Sequence, residues 1–572
     1  MKASAWYLLT IAAFLSLPLA AQQPPAPPES PAELQPGETP RILETIDVRV
    51  INVDVVVTDR KGNPITGLTR DDFIVLENGR PQNVTNFYEV VTETGTGEGE
   101  PAAPAIRTAP DEAPRQPEQP EQLRRKMIIF IDNLTLGPFT RNRVFESMKE
   151  FVSESLRPGD QAMIVTWNRS LKTRLNFTSD AVQIRQTLDA IAGESALGIH
   201  AISERRQAQD RIREARDYNE AVTTARTYSQ SIEHDLRQTV AAINSLMGTL
   251  GGVEGKNVML ITSEGFPMQP GRDMFYYIDD VAKEKTSWRR GSPFLESMNF
   301  NSQRLIDSVA RAANANEITL YTLHAGGLVG YEQSSAENRT PISPTVQQAV
   351  ISNSTDSMRL MADLTGGLAT VGTNNFRGAF EKIQRDLSSY YSLGYRAGTE
   401  RVDRQRSIEV KTKDPSYVTR SRRSFVEKSI DSEMNDKVVA NLFYEGTEND
   451  LGVQIRTGRP VRNEDDTYRV PLEVLIPMRT LTILPRGEIF TGSFSVYIVV
   501  SNRHGDMSEI ERQQHPIRIP AHAIEALKDE NYIYSVDLIM EPGRGKISVG
   551  VVDDTTNVTG FRSIDLIARD LR

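Results

Sequence analysis

The chain has 572 residues, a formal net charge of −10, 38% hydrophobic residues and no cysteine. That length exceeds a single core and allows roughly three to four domains. The acidic balance argues against a nucleic-acid partner, which needs a basic face, and the absence of thiols excludes disulfides and cysteine chemistry.

Lys2, an apolar stretch over residues 6–19 and the small pair Ala20-Ala21 predict a secretion signal over 1–21. The stretch is short for a comfortable membrane span, although an uncleaved anchor is the alternative. An exported protein is therefore expected (periplasmic, on the outer surface or secreted), with no stable membrane span after cleavage. Residues 22–45, rich in Pro, Gln and Glu, predict a disordered tether. Alternating apolar residues and the turns Lys61-Gly62-Asn63-Pro64 and Glu77-Asn78-Gly79 predict a small β unit over 46–90. Residues 91–125 read as a flexible linker.

From Lys126 the pattern changes to buried strands alternating with amphipathic helices, which predicts an α/β fold with a doubly wound, mostly parallel sheet over 126–425. Residues 126–132 (K-M-I-I-F-I-D) are an apolar run ending in Asp132, as required of a strand covered on both faces. Its carboxyl end is where such sheets gather ligands. Two insertions are expected. The one over 204–226 is charged and reads as a solvated helix, with a docking arm as the alternative. The one over 268–301 is aromatic-rich and reads equally as a binding face or as a lid packed on its own domain. Residues 390–423 suggest antiparallel strands closing or flanking the sheet, and residues 426–572 a β-sandwich.

Several segments together resemble a von Willebrand factor type A domain. They are K-M-I-I-F-I-D, D-Q-A-M-I-V at 160–165 and V-M-L-I-T-S-E-G-F at 258–266. More narrowly, V-D-V-V-V-T-D-R-K-G-N-P-I-T-G-L-T-R-D-D-F at 53–73, L-Y-T-L-H-A-G-G-L at 320–328 and L-S-S-Y-Y-S-L-G-Y at 387–395 resemble the type A-related group common in acidobacterial proteins. The resemblance spans about residues 46–425. It implies a metal-ion-dependent adhesion site built from D-x-S-x-S, a Thr from a second loop and an Asp from a third. Here Asp132 matches, Leu134 and Leu136 stand at the two Ser positions, residues 193–203 contain no Thr, and Glu264 stands at the third-loop Asp. Mg²⁺ wants near-octahedral oxygen ligands, so the site reads as degenerate and no metal or cofactor is expected. Mg²⁺ at Asp132, helped by Asn133, Thr135 or Ser263 after rearrangement, is the alternative.

The expected partner is a protein of the cell envelope or the cell exterior. It would be met at Asp132, Asn133, Thr135, Ser263 and Glu264, where Asp132 and Glu264 would form an acidic spot for Lys or Arg. Asp132 could equally just cap the turn that follows it. No H-E-x-x-H or G-x-S-x-G motif occurs, and the G-G-V-E-G-K-N segment at 251–257 precedes its strand and ends in Asn, unlike a phosphate loop. His324, after a strand end, reads as a hydrogen-bonded loop residue rather than a base. A non-catalytic adhesion or scaffold protein is expected. The alternatives are an accessory subunit of, or a cryptic, envelope hydrolase with activity outside the type A-like domain, and a purely structural envelope component.

Overall fold

The computed structural model describes residues 50–91, 105–107, 124–285, 288, 291–327, 344–396, 402–444 and 448–569. The expected signal segment and tether and most of the expected linker lie outside them. Among the described residues no helix is long and apolar enough to cross a membrane. The first strands are β1 (Val50–Thr58), β2 (Phe73–Glu77), β3 (Arg80–Gln82), β4 (Val84–Val91) and β5 (Ala105–Arg107). The β2–β3 hairpin turns on Asn78 and Gly79, with φ of 48° and 77°. Positive φ at both central residues matches the twist of the flanking strands and explains the Asn-Gly pair.

The α/β part begins with β6 (Arg125–Asp132) and α1 (Pro138–Ser155), followed by β7 (Gln161–Trp167), β8 (Leu171–Thr178) and α2 (Ala181–Ala192). Then come α3 (Gly198–Glu214), α4 (Tyr218–Leu250), β9 (Lys256–Ser263), α5 (Arg272–Glu284), α6 (Pro293–Ser297) and α7 (Gln303–Ala315). The last elements are β10 (Ile318–His324), α8 (Pro344–Thr365), β11 (Ala369–Thr370) and α9 (Phe376–Ser388). The six strands run in the order β8-β7-β6-β9-β10-β11, all parallel except β8. Successive residues of β6 enter opposite cores. Ile129 and Ile131 pack under α1, α2 and α9, while Ile128 and Phe130 pack under α4, α7 and α8. That is why the run lacks polar alternation. The strand order reverses between β6 and β9, which makes the crevice above them the switch point where such sheets bind ligands.

The two insertions cover each other. Ala208 and Ile212 of α3, with Ala221, Val222 and Ala225 of α4, form one core with Met274, Phe275, Tyr277, Ile278 and Trp288. The charged segment is therefore half of a helical hairpin with a buried face rather than a solvated helix or a free arm. Asp217 breaks the two helices apart by capping α4 through the Glu220 N–H at 2.9 Å. Phe275, Tyr277 and Trp288 of the second insertion are buried and Tyr276 and Phe300 half-buried, which leaves Phe294, Leu295 and Met298 as its exposed apolar residues.

The segment after α9 does not close the parallel sheet. Its strands β12 (Ser389–Arg396), β13 (Gln405–Thr412), β14 (Val418–Arg420) and β15 (Ser424–Val426) return to the amino-terminal strands. They form the antiparallel sheets β14-β1-β12-β4-β5 and β15-β13-β2-β3. Val53, Val55, Phe73, Val75, Tyr391, Leu393, Ile408 and Val410 share their core. The β unit expected over 46–90 is thus half of a β-sandwich whose other half comes after α9, and β12 lies between β1 and β4, pairing with both. The boundary expected at 426 moves as well. Helix α10 (Ile430–Phe443) packs on α4, with the Tyr444 hydroxyl 3.1 Å from Thr249 Oγ1, and the compact unit runs over Val50–Gly446.

Polar groups lock this sandwich to the start of β9 and to the last turn of α9. Half-buried Lys256 places Nζ 3.1 Å from Asp54 Oδ2 and 3.0 Å from the Tyr390 ring centroid, and Arg420 donates to both Asp386 oxygens at 2.6 and 2.7 Å. The second unit, from residue 448, contains β16 (Gln454–Thr457), β17 (Val461–Arg462), β18 (Tyr468–Pro477), β19 (Leu484–Arg486), β20 (Ile489–Ser501), β21 (Glu511–Pro520), β22 (Asn531–Met540), β23 (Gly543–Asp553) and β24 (Thr559–Ala568). One sheet centres on β18 and the other on β20 and β23. Val470, Leu472 and Val474 meet Val496, Ile498, Val549 and Val551 in one core, which makes this unit a β-sandwich.

Candidate functional site

The site is built where β6 and β9 end side by side. Asp132 is fully buried. Its Oδ2 accepts hydrogen bonds from Thr135 Oγ1 at 2.7 Å and Ser263 Oγ at 2.8 Å, and its Oδ1 accepts from the Leu134 N–H at 3.2 Å. The two hydroxyls accept in turn, Thr135 from the Glu264 N–H at 3.2 Å and Ser263 from the Gly265 N–H at 3.0 Å. The network is closed, with each hydroxyl proton aimed at the carboxylate and each hydroxyl oxygen holding a backbone donor. Burial is the largest influence on Asp132 and raises its pKa, and the Thr135 and Ser263 hydroxyls partly oppose it.

The leucines explain the inward turn. Leu136 is fully buried in the core beneath α1, and Leu134 packs on the opposite core. Hydroxyls at those positions would aim at solvent or an ion, whereas aliphatic groups pull the turn down onto the sheet. Glu264 does not form an acidic spot with Asp132. Its Oε1 accepts from the Gly137 N–H at 3.1 Å and the Thr140 hydroxyl at 2.6 Å, at the amino end of α1 where negative charge is favourable.

Asn133 is also buried, and its Oδ1 accepts from Arg141 at 3.3 Å. Fully buried Arg141 donates to the Ala192 and Glu194 carbonyls, both at 2.8 Å, and so ties the turn to the chain before α3. Gly198 completes the seam by donating to the Leu136 carbonyl at 3.1 Å. A Cβ on Gly198 would fall 2.3 Å from the Thr135 carbonyl oxygen.

Of the five expected partner-contacting residues, Asp132, Asn133 and Ser263 thus have no surface to offer, and Thr135 and Glu264 are half-buried. The donor set also does not fit a tightly held divalent ion. Leu134 and Leu136 offer no oxygen at the two positions where the resemblance implies ligands, and the Thr135 and Ser263 hydroxyl oxygens already hold backbone N–H groups. His324, at the end of β10, is buried with Nδ1 lacking a hydrogen-bond partner, and burial lowers its pKa.

Sequence reading missed what surrounds this network. A cavity of about 330 Å³ opens beside Thr135, between α3, α4 and residues 265–267. Phe139 in the first turn of α1 is 75% exposed, and Ile199 in the first turn of α3, preceding the lining residue His200, is 56% exposed. Exposed aromatics are invisible to periodicity. Arg141 did leave a signal, because a cation in a helix's first turn opposes the helix dipole and needs a reason to be there.

No family model matches the chain, and no curated protein matches its sequence. Solved structures similar to it include an aerotolerance-related membrane protein from Bacteroides fragilis NCTC 9343, at 12% identity and TM-score 0.21, over 46% of this chain and 98% of that one. The conserved hypothetical protein BatB from Bacteroides thetaiotaomicron gives 12% identity and TM-score 0.21, over 46% and 97%. The pilus adhesin SpaC from Lactobacillus rhamnosus GG gives 7% identity and TM-score 0.26, over 84% and 57%. Scores this low carry no argument about fold or function.

Proposed function

We propose that this is an exported, non-catalytic binding protein of the von Willebrand factor type A-related kind. It would meet a protein partner at the carboxyl end of its six-stranded sheet, with the ancestral ion site closed. The strand order with one reversal and an aspartate at the switch point support the family reading. The observation that carries the binding reading is the exposure of Phe139 and Ile199 on two helix starts stitched together through Gly198 and Leu136. Aromatic residues such as Phe are enriched at the cores of protein interfaces. The contact surface is therefore the rim, while Asp132, Asn133 and Ser263 hold that rim in shape.

The test is capture from envelope extract by wild type and by Phe139→Ser combined with Ile199→Ser. Both residues are exposed, so the variant keeps its fold, and it should lose the specific partner. Equal capture by both proteins rules out this face.

A further inference from the structure

The cavity beside the closed aspartate has a chemistry of its own. Leu134, Leu197, Ile232, Leu236, Phe266 and Pro267 give it apolar walls. Its volume of about 330 Å³ lies at the small end of ligand sites, suited to one extended side chain rather than a cofactor. Among its polar lining residues, exposed Glu204 and half-buried Asp235 supply two carboxylates beside the single guanidinium of Arg169, while Asp132 and Thr239 are buried. Arg169 is committed to Asp235 through contacts of 3.0 to 3.3 Å. It holds that pose from a left-handed backbone, φ = 65°, at the β7–β8 turn, with its side chain 56% exposed. A non-glycine residue there is strained, and strain of this kind gathers at binding and switch positions.

We propose that the cavity binds an aliphatic chain ending in a cation, namely an arginine or lysine side chain presented by the partner. The aliphatic stem lies along the leucines and Phe266, as long basic side chains do on apolar surface. The cationic head takes the place of Arg169 between Asp235 and Glu204, exchanging one charge-assisted pair for another. This rests on the protein-binding reading and names the residue type that the partner must present.

The test uses the purified full chain and small probes, so it does not depend on having the partner. Trp167 reports on the site, since its Nε1 donates at 2.9 Å to Thr239 Oγ1, a lining residue. N-acetyl-arginine methylamide should shift its fluorescence saturably with a dissociation constant of about 1 mM, a reasonable affinity for so few atoms. Arg169→Gly relieves the strained backbone and frees Asp235, so it should tighten binding by about tenfold, the equivalent of one recovered ion pair in a partly desolvated site. Glu204→Gln with Asp235→Asn should weaken binding by at least that factor, and Ala201→Trp, an exposed lining position, should block it. Binding of pentanoate as strong as that of the arginine amide would overturn the proposal. So would no saturable binding, or weaker binding by Arg169→Gly. Agmatine binding at least tenfold tighter than the arginine amide would also overturn it, since the occupant would then be a free amine. Any of these failures leaves the capture experiment with Phe139 and Ile199 standing.

Discussion

Asp132 is the residue on which the crest turns, and its surroundings make specific demands. Replacing a buried carboxylate that accepts three hydrogen bonds leaves donors facing one another, so Asp132→Ala should cost about 1–3 kcal/mol in denaturant unfolding. Calorimetric titration of Mg²⁺ or Mn²⁺ should show no micromolar binding, and micromolar binding abolished by Asp132→Asn would contradict the closed network. His324 gives a pH prediction. Its folded pKa lies below the usual 6.5, so the unfolded chain binds the extra proton more readily. Its contribution is present above 6.5 and is lost as pH falls from there through the lowered value. His324→Phe should flatten the acid side of the stability profile over that window, and an unchanged profile would show that the imidazole is not held neutral. At this scale the sequence was half legible. Asp132 and Ser263 converge because both end apolar strands, which the pattern displayed. The inward rotation depends on which core receives Leu134 and Leu136, and no local pattern encodes that.

Elements meet here through close approaches that tolerate little change. Gly198 sits where any Cβ would strike the Thr135 carbonyl, so Gly198→Ala must push α3 away from the turn, at a cost of about 1–3 kcal/mol by thermal or denaturant melting. Wild-type stability in this variant would mean that the seam is looser than its hydrogen bonds suggest. The helix assignments were legible where apolar spacing was regular, as for Val144, Phe145, Met148, Phe151 and Val152 of α1. The insertions were harder. Ala208, Ala221 and Ala225 are small residues in a charged stretch, and with Ile212 they become a buried stripe only when α5 lies across them.

At the scale of the whole molecule, the amino-terminal strands and the segment after α9 form a single sandwich. Arg406 of β13 shows how strongly they are joined. It is buried, donates at 2.8 Å to Glu77 of β2, and also pairs with Glu427. Arg406→Met would strand two carboxylates and should cost about 3–5 kcal/mol, the usual result of removing one partner from a buried ionic group. A fragment of residues 124–446, lacking β1 to β5, should fail to melt cooperatively, whereas residues 50–446 should melt as one unit. The individual strands were legible from alternation and turn residues. Their pairing was not, because β1 finds β12 across more than 300 residues and nothing near either strand specifies the other.

The most direct test of the account is photocrosslinking, with a photoreactive residue placed at Ile199 on the crest or at Val461 in the second unit, both exposed. The protein should give a discrete adduct with an envelope or extracellular protein from position 199 and none of the same mass from position 461. Identical adducts from both positions, or adducts from 461 alone, would contradict recognition through the crest.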